Sequence, residues 1–381
     1  MKHLLLLVCL NIGFFSCTKN ETYNEAYVNS KTLYRLTDPE VFNLGIPKEF
    51  FVGKLQSNRK QSICHTQGLY IDKNRIFVSC ILYNMEEVNT RSYYSEAFLL
   101  EADLSHILNK QKTIQWTLHQ FAQDVAKIER KRISQTVFGD NDVPKGAHDF
   151  MYKLSHPSGM ERDVNENFIW LTPSVYGPKS SAHFRKYNID RGRFMKEFWH
   201  VPDHSGLVLP LDNNIIVGVT WGSKEFLALD TKTGQYKLYE NTLPELVDYQ
   251  DSTRLSSNIF LCGGKAITKT WNSRIHTGRI HVLHINGSSY DKLSFELMGF
   301  VRMKNVNEDM RDLGVVEYVY KDYKGTIQEI KAIKSTYAGV ETNVTLPHEG
   351  MSLDPEKQWL YFVPQDLPDA KLFRYKISKI Q

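Results

Sequence analysis

Short stretches in which apolar and polar residues alternate recur along most of the chain and are separated by polar turns. The stretch HTQGLYIDKNRIFVSCILYN, which begins at His65, contains two of them on either side of the turn residues Asp72–Asn74. Alternation with a period of two predicts strands, and a short polar turn between two strands predicts a hairpin. We therefore predict an all-β fold.

The same hairpin pattern returns four more times. HPSGMERDVNENFIWLTPSVY begins at His156, HSGLVLPLDNNIIVGVTWG at His204 and HEGMSLDPEKQWLYFVPQD at His348, whereas YQDSTRLSSNIFLCGGK begins at Tyr249 and lacks the histidine. Third and fourth strands follow most copies, such as AHFRKYNID and MKEFWHV in the second copy. Four-stranded units that repeat with a period of about 47 residues are typical of a β-propeller.

Five such units are recognisable, and the longer gaps between some of them leave room for six or seven. We predict a single propeller domain over 46–381, with top-face insertions at 120–155, where the pattern is helix-like, and at 302–347, where we expect at most one hairpin. The last unit has three strands, and the N-terminal stretch EFFVGKLQ at 49–56 is the candidate for its fourth. Closing the ring with an N-terminal strand would leave no exposed sheet edge.

The first residues predict export. Residues 1–16 contain Lys2 and an apolar run that is too short to span a bilayer, which is typical of a cleaved signal peptide. A small residue before Cys17 resembles a bacterial lipobox. We predict that Cys17 is lipidated, that 17–45 is a tether, and that the protein is an exported lipoprotein of a bacterial outer membrane. A plain cleaved signal with an incidental cysteine is the alternative.

The composition of the chain limits its partners. There are 47 Lys and Arg against 43 Asp and Glu, which gives a net charge of +4, and aromatic residues are abundant. A small positive excess suits an acidic small ligand, whereas a nucleic-acid groove would need a denser basic stripe. We expect an acidic oligosaccharide substrate, a membrane contacted through the lipid anchor, no nucleic acid, and a monomer.

The motif histidines predict a site on one face of the propeller. The first strand of each unit lines the central channel, and each motif histidine stands at the start of that strand. Polar and aromatic groups at a concave centre are the usual binding site of such a scaffold. The acid–base candidates are His65, His156, Tyr176 and His204, and the substrate-binding candidates are Arg162, His183, Arg185, Trp221, Tyr249, Gln250, His348 and Glu349. The sequence requires no cofactor, although His156, His204 and His348 suit zinc or manganese.

Several of these residues have a structural alternative. A histidine before a strand glycine also caps turns and hydrogen-bonds a neighbouring unit. The motif glycines are expected to let backbones pass closely at the crowded axis. Asp203 and Asp251 are expected to accept hydrogen bonds from backbone amides between units. Trp221 suits packing within a unit as well as stacking on a sugar.

The motifs HPSGM, DHSG, WGSKEF, DYQD and LYFVPQD together resemble an uncharacterised bacterial β-propeller family, a domain of unknown function, over roughly residues 60–378. The resemblance implies the fold and little about the reaction. In residue type and location, the histidines, tyrosines and arginines of the channel face are also similar to those of propeller-fold lyases that act on uronate polysaccharides such as ulvan. The ulvan-oligosaccharide dehydratase, which removes water from a terminal uronate, uses related chemistry.

This chemistry can be assigned to candidate residues. β-Elimination at a uronate needs a cation for the carboxylate, a base for the C5 proton and an acid for the group that leaves C4. Arg162 or Arg185 would hold the carboxylate, and Tyr176 would work with His65, His156 or His204 as the acid–base pair. We expect a lyase or dehydratase that acts on an acidic oligosaccharide, sulfated or unsulfated, such as one derived from ulvan. The alternatives are a metal-dependent hydrolase of the lactonase or esterase type and a non-catalytic glycan-binding lipoprotein.

Overall fold

The computed structural model describes residues 25–46, 62–84, 95–120, 156–174, 181–269, 274–302, 318–321, 327–330, 335–337, 340–342, 349–363 and 371–380. Strands predominate, and the α-helices in these ranges are α1 Glu25–Ser30 and α2 Leu104–Leu108. Within the same ranges, no helix is long and apolar enough to cross a membrane.

Five runs of four antiparallel strands, which we number as units one to five, make up most of the described chain. Unit one contains β2 Ser62–Asp72, β3 Arg75–Asn84, β4 Ser95–Asp103 and β5 Thr117–Gln120. Unit two contains β6 His156–Arg162, β7 Phe168–Ser174, β8 Ala182–Asn188 and β9 Arg193–Val201. Unit three contains β10 Val208–Pro210, β11 Ile215–Val219, β12 Glu225–Asp230 and β13 Tyr236–Glu240. Unit four contains β14 Val247–Ser256, β15 Ile259–Lys269, β16 Arg274–Asn286 and β17 Ser294–Arg302. Unit five contains β22 Gly350–Asp354, β23 Trp359–Val363, β24 Lys371–Lys379 and β1 Thr32–Asn43. The all-β prediction is confirmed, and the sheets are consistent with a β-propeller.

The N-terminal strand β1 completes unit five. It pairs antiparallel with β24 over most of its length, and its first residues pair parallel with the end of β17. Units four and five are therefore joined at their outer edges into one eight-stranded sheet. The start and the end of the described chain are tied together by this pairing, which covers the outer edge of unit five.

The identity of this strand corrects two expectations. The stretch 49–56, predicted to complete the last unit, lies outside the described residues, and the strand beside β24 comes from earlier in the chain. Because β1 lies within 17–45, the fold begins before residue 46, and the segment predicted as a tether contains a strand of the fold. The pairing of β1 with β24 shifts register beside Asp38, which has a φ of 51°. This irregularity interrupts the alternation that would have identified the strand.

Apolar side chains fill the spaces between consecutive units. Each space is closed by residues from both neighbours: Phe77 and Met160 between units one and two, Phe184 and Val208 between two and three, Phe226 and Phe260 between three and four, Leu261 and Met351 between four and five, and Leu372 and Leu69 between five and one. The apolar half of each strand alternation is therefore buried against the next unit.

Two small hairpins follow unit four and precede unit five in the chain. They are β18 Tyr318–Lys321 with β19 Ile327–Ile330, and β20 Ser335–Tyr337 with β21 Val340–Thr342. At most one hairpin was predicted there, so the second is a correction. Its strands have three residues each, which is too short for an alternation to show. The rest of 303–348 and the helix-like stretch within 121–155 lie outside the described residues.

The first strands of the five units meet in one layer, at the motif glycines. Four units contribute glycine and the unit without a motif histidine contributes aspartate, and we call this set the axial ring: Gly68, Gly159, Gly206, Asp251 and Gly350. A Cβ on Gly159 would lie 2.3 Å from Oδ1 of Asp251, and a Cβ on Gly350 would lie 2.7 Å from the backbone nitrogen of Leu69. The prediction that these glycines let backbones pass closely is confirmed.

A single carboxylate fills the centre of the axial ring. Oδ1 of Asp251 accepts hydrogen bonds from the N–H groups of Met160 at 2.9 Å and Ser252 at 2.7 Å, and Oδ2 accepts from Leu69 at 3.1 Å and Met351 at 2.8 Å. Leu69, Met160 and Met351 each follow a ring glycine, so one side chain ties units one, two and five to unit four. The predicted role of Asp251 is confirmed. Burial raises the pKa of its carboxyl, and the four amide hydrogen bonds act in the opposite direction.

Candidate functional site

The upper face is the end of each unit at which its first strand begins. β6 begins at His156, His65 lies near the start of β2, and the segments before β10 and β22 carry His204 and Glu349. The side chains of His65 and His156, and the whole of Cys17, Tyr176 and His348, lie outside the described residues, so their assigned roles remain predictions.

His204 is the motif histidine whose surroundings are described. Its backbone N–H donates to Oδ1 of Asp203 at 2.7 Å, and this hydrogen bond lies within the segment that joins β9 to β10. The imidazole is 5% exposed and meets the indole of Trp221 edge to face, with the ring centroids 5.1 Å apart. Trp221 is half-buried and follows β11 of the same unit. His204 therefore lies above its own unit, against an aromatic ring that is partly open to solvent.

The turn that carries Trp221 is held in a strained conformation. Gly222 and Ser223 have φ values of 69° and 52°, and serine rarely adopts such an angle. The turn is fixed from both sides: Oγ of Ser223 accepts from the N–H of Tyr249 at 2.8 Å, and the carbonyl of Ser223 accepts from the Asn241 side chain at 2.8 Å. Strain that is kept in place by surrounding hydrogen bonds is a common feature of binding sites.

Tyr249 occupies the motif position in the unit without a histidine, and it is buried. Its hydroxyl lies 2.6 Å from Nδ1 of His281 on β16, and Nε2 of His281 lies 3.0 Å from Glu245. Burial alone would raise the pKa of Glu245, but the His281 hydrogen bond and the nearby Arg279 guanidinium hold it below its usual value. Glu245 is thus ionised, His281 donates to it from Nε2, and Tyr249 donates to Nδ1.

His204 and Tyr249 hold equivalent places, each two residues before the axial ring. Both side chains extend over the outer part of their own unit, one to Trp221 and the other to His281. At these two positions the structure does not show the channel-facing side chains that the sequence predicted. Tyr249 is 1% exposed and its hydroxyl is bonded to His281, so it belongs to a supporting network behind the upper face.

The two arginines predicted to hold a carboxylate lie elsewhere. Arg162 ends β6, at the opposite end of the strand from His156, and its guanidinium is 3.7 Å from Asp72. Arg185 lies in the middle of β8, stacks on Phe194 and donates to a β9 carbonyl at 3.1 Å. Neither guanidinium reaches the upper face. Arg162 is distant because the two ends of a seven-residue strand are about 20 Å apart. Arg185 is held away from the upper face by its contacts with Phe194 and the β9 carbonyl.

His183 is near the upper end of unit two and is fully buried. Its ring stacks on Phe198 with centroids 4.7 Å apart, and its Nε2 lies 3.4 Å from Nδ1 of the exposed His200. These contacts place His183 between β8 and β9 of its own sheet. Its ring belongs to the packing of unit two, and contact with a ligand would require His200 to move.

The residue directly before each member of the axial ring is polar. These residues, which we call the polar layer, are Gln67, Ser158, Ser205, Gln250 and Glu349. Four of them are at most 3% exposed, and Gln250 is half-buried. Gln250 and Glu349 were predicted from the sequence, whereas Gln67, Ser158 and Ser205 were missed. Alignment of the five copies on the axial ring would have found them, since no copy has an apolar residue at this position.

A metal centre finds no support in the described side chains. Among the described residues, no group of three or more histidine, cysteine, aspartate or glutamate side chains could hold a metal ion. The proposed zinc or manganese ligands His156 and His348 have no described side chain, so the metal prediction is untested.

The chain can be compared with known proteins. Residues 146–289 match the model of a family of unknown function, DUF6454. This match covers units two and three and most of unit four. No curated protein matches the chain.

Solved structures of similar architecture include several that act on carbohydrates. A glycoside hydrolase of the GH130 mannoside phosphorylase family, which targets β-1,2 mannosidic linkages in Candida mannan, is 9% identical, with 83% of this chain and 84% of that chain covered and a TM-score of 0.43. A putative glycosidase from Bacteroides thetaiotaomicron is 8% identical over 83% and 87% of the two chains, with a TM-score of 0.44. Streptogramin B lyase is 12% identical over 94% and 100%, with a TM-score of 0.35. All three TM-scores are below 0.5, so these likenesses say nothing about the ligand or reaction of this chain.

Proposed function

We propose that the upper face binds an acidic carbohydrate and that His204 acts there as an acid or a base. The observation that carries this proposal is the pairing of the His204 imidazole with a half-buried tryptophan on a strained, doubly anchored turn. An indole face supports a sugar ring, and an imidazole changes its protonation state near neutral pH. Lys224, exposed at the end of the same turn, supplies a positive charge for a carboxylate or a sulfate.

The reaction we propose is β-elimination at a uronate. The base removes the C5 proton, the electron pair of that C–H bond becomes the C4–C5 double bond, and the C4–O bond breaks. The acid then protonates the departing oxygen, which belongs to a sugar in a lyase and to water in a dehydratase. Since Arg162 and Arg185 do not reach the upper face, Lys224 takes the place that they had in the sequence-based assignment.

The setting of this site is also part of the proposal. We propose a ring of five units that β1 closes, supported by the contacts of β1 with β24 and of unit five with unit one. We further propose an exported monomer that is anchored to a bacterial outer membrane through Cys17, supported by the sequence of residues 1–17.

A glycan panel tests the proposed function. The purified protein is incubated with uronate-containing oligosaccharides, sulfated and unsulfated, and with neutral oligosaccharides of equal length. We expect ultraviolet absorbance of a 4,5-unsaturated uronate only with the acidic members. Binding of acidic members without absorbance would favour the non-catalytic glycan-binding alternative. Absence of both binding and reaction across the panel would overturn the proposal. Dependence of the reaction on added zinc or manganese would favour the metal-dependent alternative.

The charge of Lys224 is expected to set the preference for acidic ligands. Lys224→Gln should weaken binding of a uronate oligosaccharide by roughly three- to tenfold and leave binding of a neutral one unchanged, because a partly exposed ion pair contributes about 1 kcal/mol. Titration calorimetry with both ligands measures this difference. The matched control is Lys232→Gln, which should bind both ligands like the wild type. Lys232 is exposed in the turn between β12 and β13, at the other end of unit three. Equal weakening by both variants would contradict the assignment.

A further inference from the structure

We infer that the polar layer binds the terminal sugar of a glycan chain, an inference that rests on the proposed function. Each of the five units contributes one polar residue to this layer, directly before the residue at which the first strands meet. Two hydroxyls, two amides and one carboxylate make up the set: Ser158, Ser205, Gln67, Gln250 and Glu349. Such a set matches the neutral hydroxyl groups of a sugar. A tight divalent cation site would need more than one carboxylate.

Irregularities in three first strands fall at this layer. β2 has one more residue than its partner β3 between Thr66 and Leu69, and β6 has one more than β7 between Pro157 and Met160. β14 has one more than β15 between Tyr249 and Asp251. A β-bulge re-aims side chains and is common next to functional sites. Three bulges at equivalent positions around one axis therefore mark this layer as more than a packing device.

Ser158 is the member of the polar layer that provides the strongest evidence for a ligand. Ser158 is 3% exposed, yet its Oγ has no hydrogen-bond partner among the residues that the structure describes. A buried hydroxyl without a partner costs stability, and a bound molecule that supplies the missing hydrogen bond removes that cost. Ser205, the equivalent residue in unit three, differs in this respect because its Oγ donates to the carbonyl of Leu207 at 2.9 Å.

The axial ring makes this layer a closed end. Asp251 and the backbones of its four hydrogen-bond donors occupy the centre directly below the polar layer. Further along the first strands, beyond the axial ring, Oγ of Ser252 donates to the carbonyl of Val208. Oγ of Ser352 accepts a hydrogen bond from the N–H of Ile71. A chain that enters from the upper face therefore cannot pass through the axis. Only its last sugar can reach the polar layer, which predicts action at chain ends.

Ser158→Ala tests the inference by separating binding from stability. The variant should bind a uronate oligosaccharide three- to tenfold more weakly, by calorimetry, because one hydrogen bond to the ligand is lost. Its melting temperature should be equal to or above that of the wild type, because an unpartnered buried hydroxyl is removed. A residue with a purely structural role would instead lose stability on truncation.

Ser252→Ala is the matched control. Ser252 is buried one residue beyond Asp251, and its Oγ is hydrogen-bonded to Val208, so the variant should melt at a lower temperature and keep wild-type affinity. Wild-type affinity in Ser158→Ala would overturn the inference and leave the proposed function standing.

Product analysis adds a second, independent measurement. Uronate oligosaccharides of defined length, labelled at one end, should lose one sugar at a time from a single end, or be modified there only. Early products cut in the middle of the chain would overturn the inference while supporting the proposed elimination. No reaction and no binding with any member of the panel would instead mean that the proposed function has failed, and the inference with it.

Discussion

Replacing Asp251 by alanine is expected to destabilise the protein strongly. The change leaves the N–H groups of Leu69, Met160, Ser252 and Met351 buried without an acceptor, in four first strands at once. Each such group costs about 1–3 kcal/mol, so the free energy of unfolding should fall by roughly 4 kcal/mol or more. Equilibrium denaturation in urea, or recovery in the insoluble fraction, measures the effect.

Two further variants make this expectation specific. Asp251→Asn keeps the shape but turns an amide NH₂ toward two backbone donors, so it should be destabilised about half as much as the alanine variant. Asp212→Ala removes an exposed carboxylate at the turn before β11 and should change the free energy of unfolding by less than about 0.5 kcal/mol. Wild-type stability in both Asp251 variants would show that the axial hydrogen bonds contribute nothing.

The repeat was readable from the sequence because its parts reinforce one another. Alternation identified the hairpins, matching turns aligned them, and the glycine before each apolar residue located the crowded centre. The same alignment explains why the copy at Tyr249 differs: it contributes Asp251, and four glycines leave room for only one side chain. Strand β1 was missed because the register shift beside Asp38 hides its alternation.

The direction of individual side chains was much less predictable. A bulge near the start of a first strand changes which residues face the axis, and no local pattern announces it. The motif position was therefore expected to face the channel, whereas Tyr249 turns to His281 and His204 turns to Trp221. Arg185 was expected at the rim because β8 begins there, but its guanidinium stacks on Phe194 of β9. Such contacts depend on tertiary packing, which one sequence does not show.

The buried network behind the Trp221 turn gives the site a physical basis. Ser223 anchors the turn to the backbone of Tyr249, and Tyr249 is held by His281 and Glu245. A rigid turn keeps the indole in one orientation before a ligand arrives, which reduces the entropy lost on binding. His204 packs against the edge of this pre-positioned ring, so the imidazole is fixed relative to any sugar that the indole supports.

His204→Gln is expected to have the largest effect on activity. Glutamine retains much of the side-chain length and some hydrogen-bonding capacity but cannot accept or deliver a proton near neutral pH. The rate of formation of the unsaturated uronate should fall by roughly 10²- to 10⁴-fold, with a much smaller change in ligand affinity. His106→Gln, on α2 at the opposite end of unit one, is the matched control and should react like the wild type.

A fall in affinity with an unchanged turnover rate would show that His204 only binds. Loss of activity accompanied by a lower melting temperature would show that its contact with Trp221 is structural. A bell-shaped pH profile that loses one limb in the variant would support its role as an acid or base, because only a titrating group produces that change.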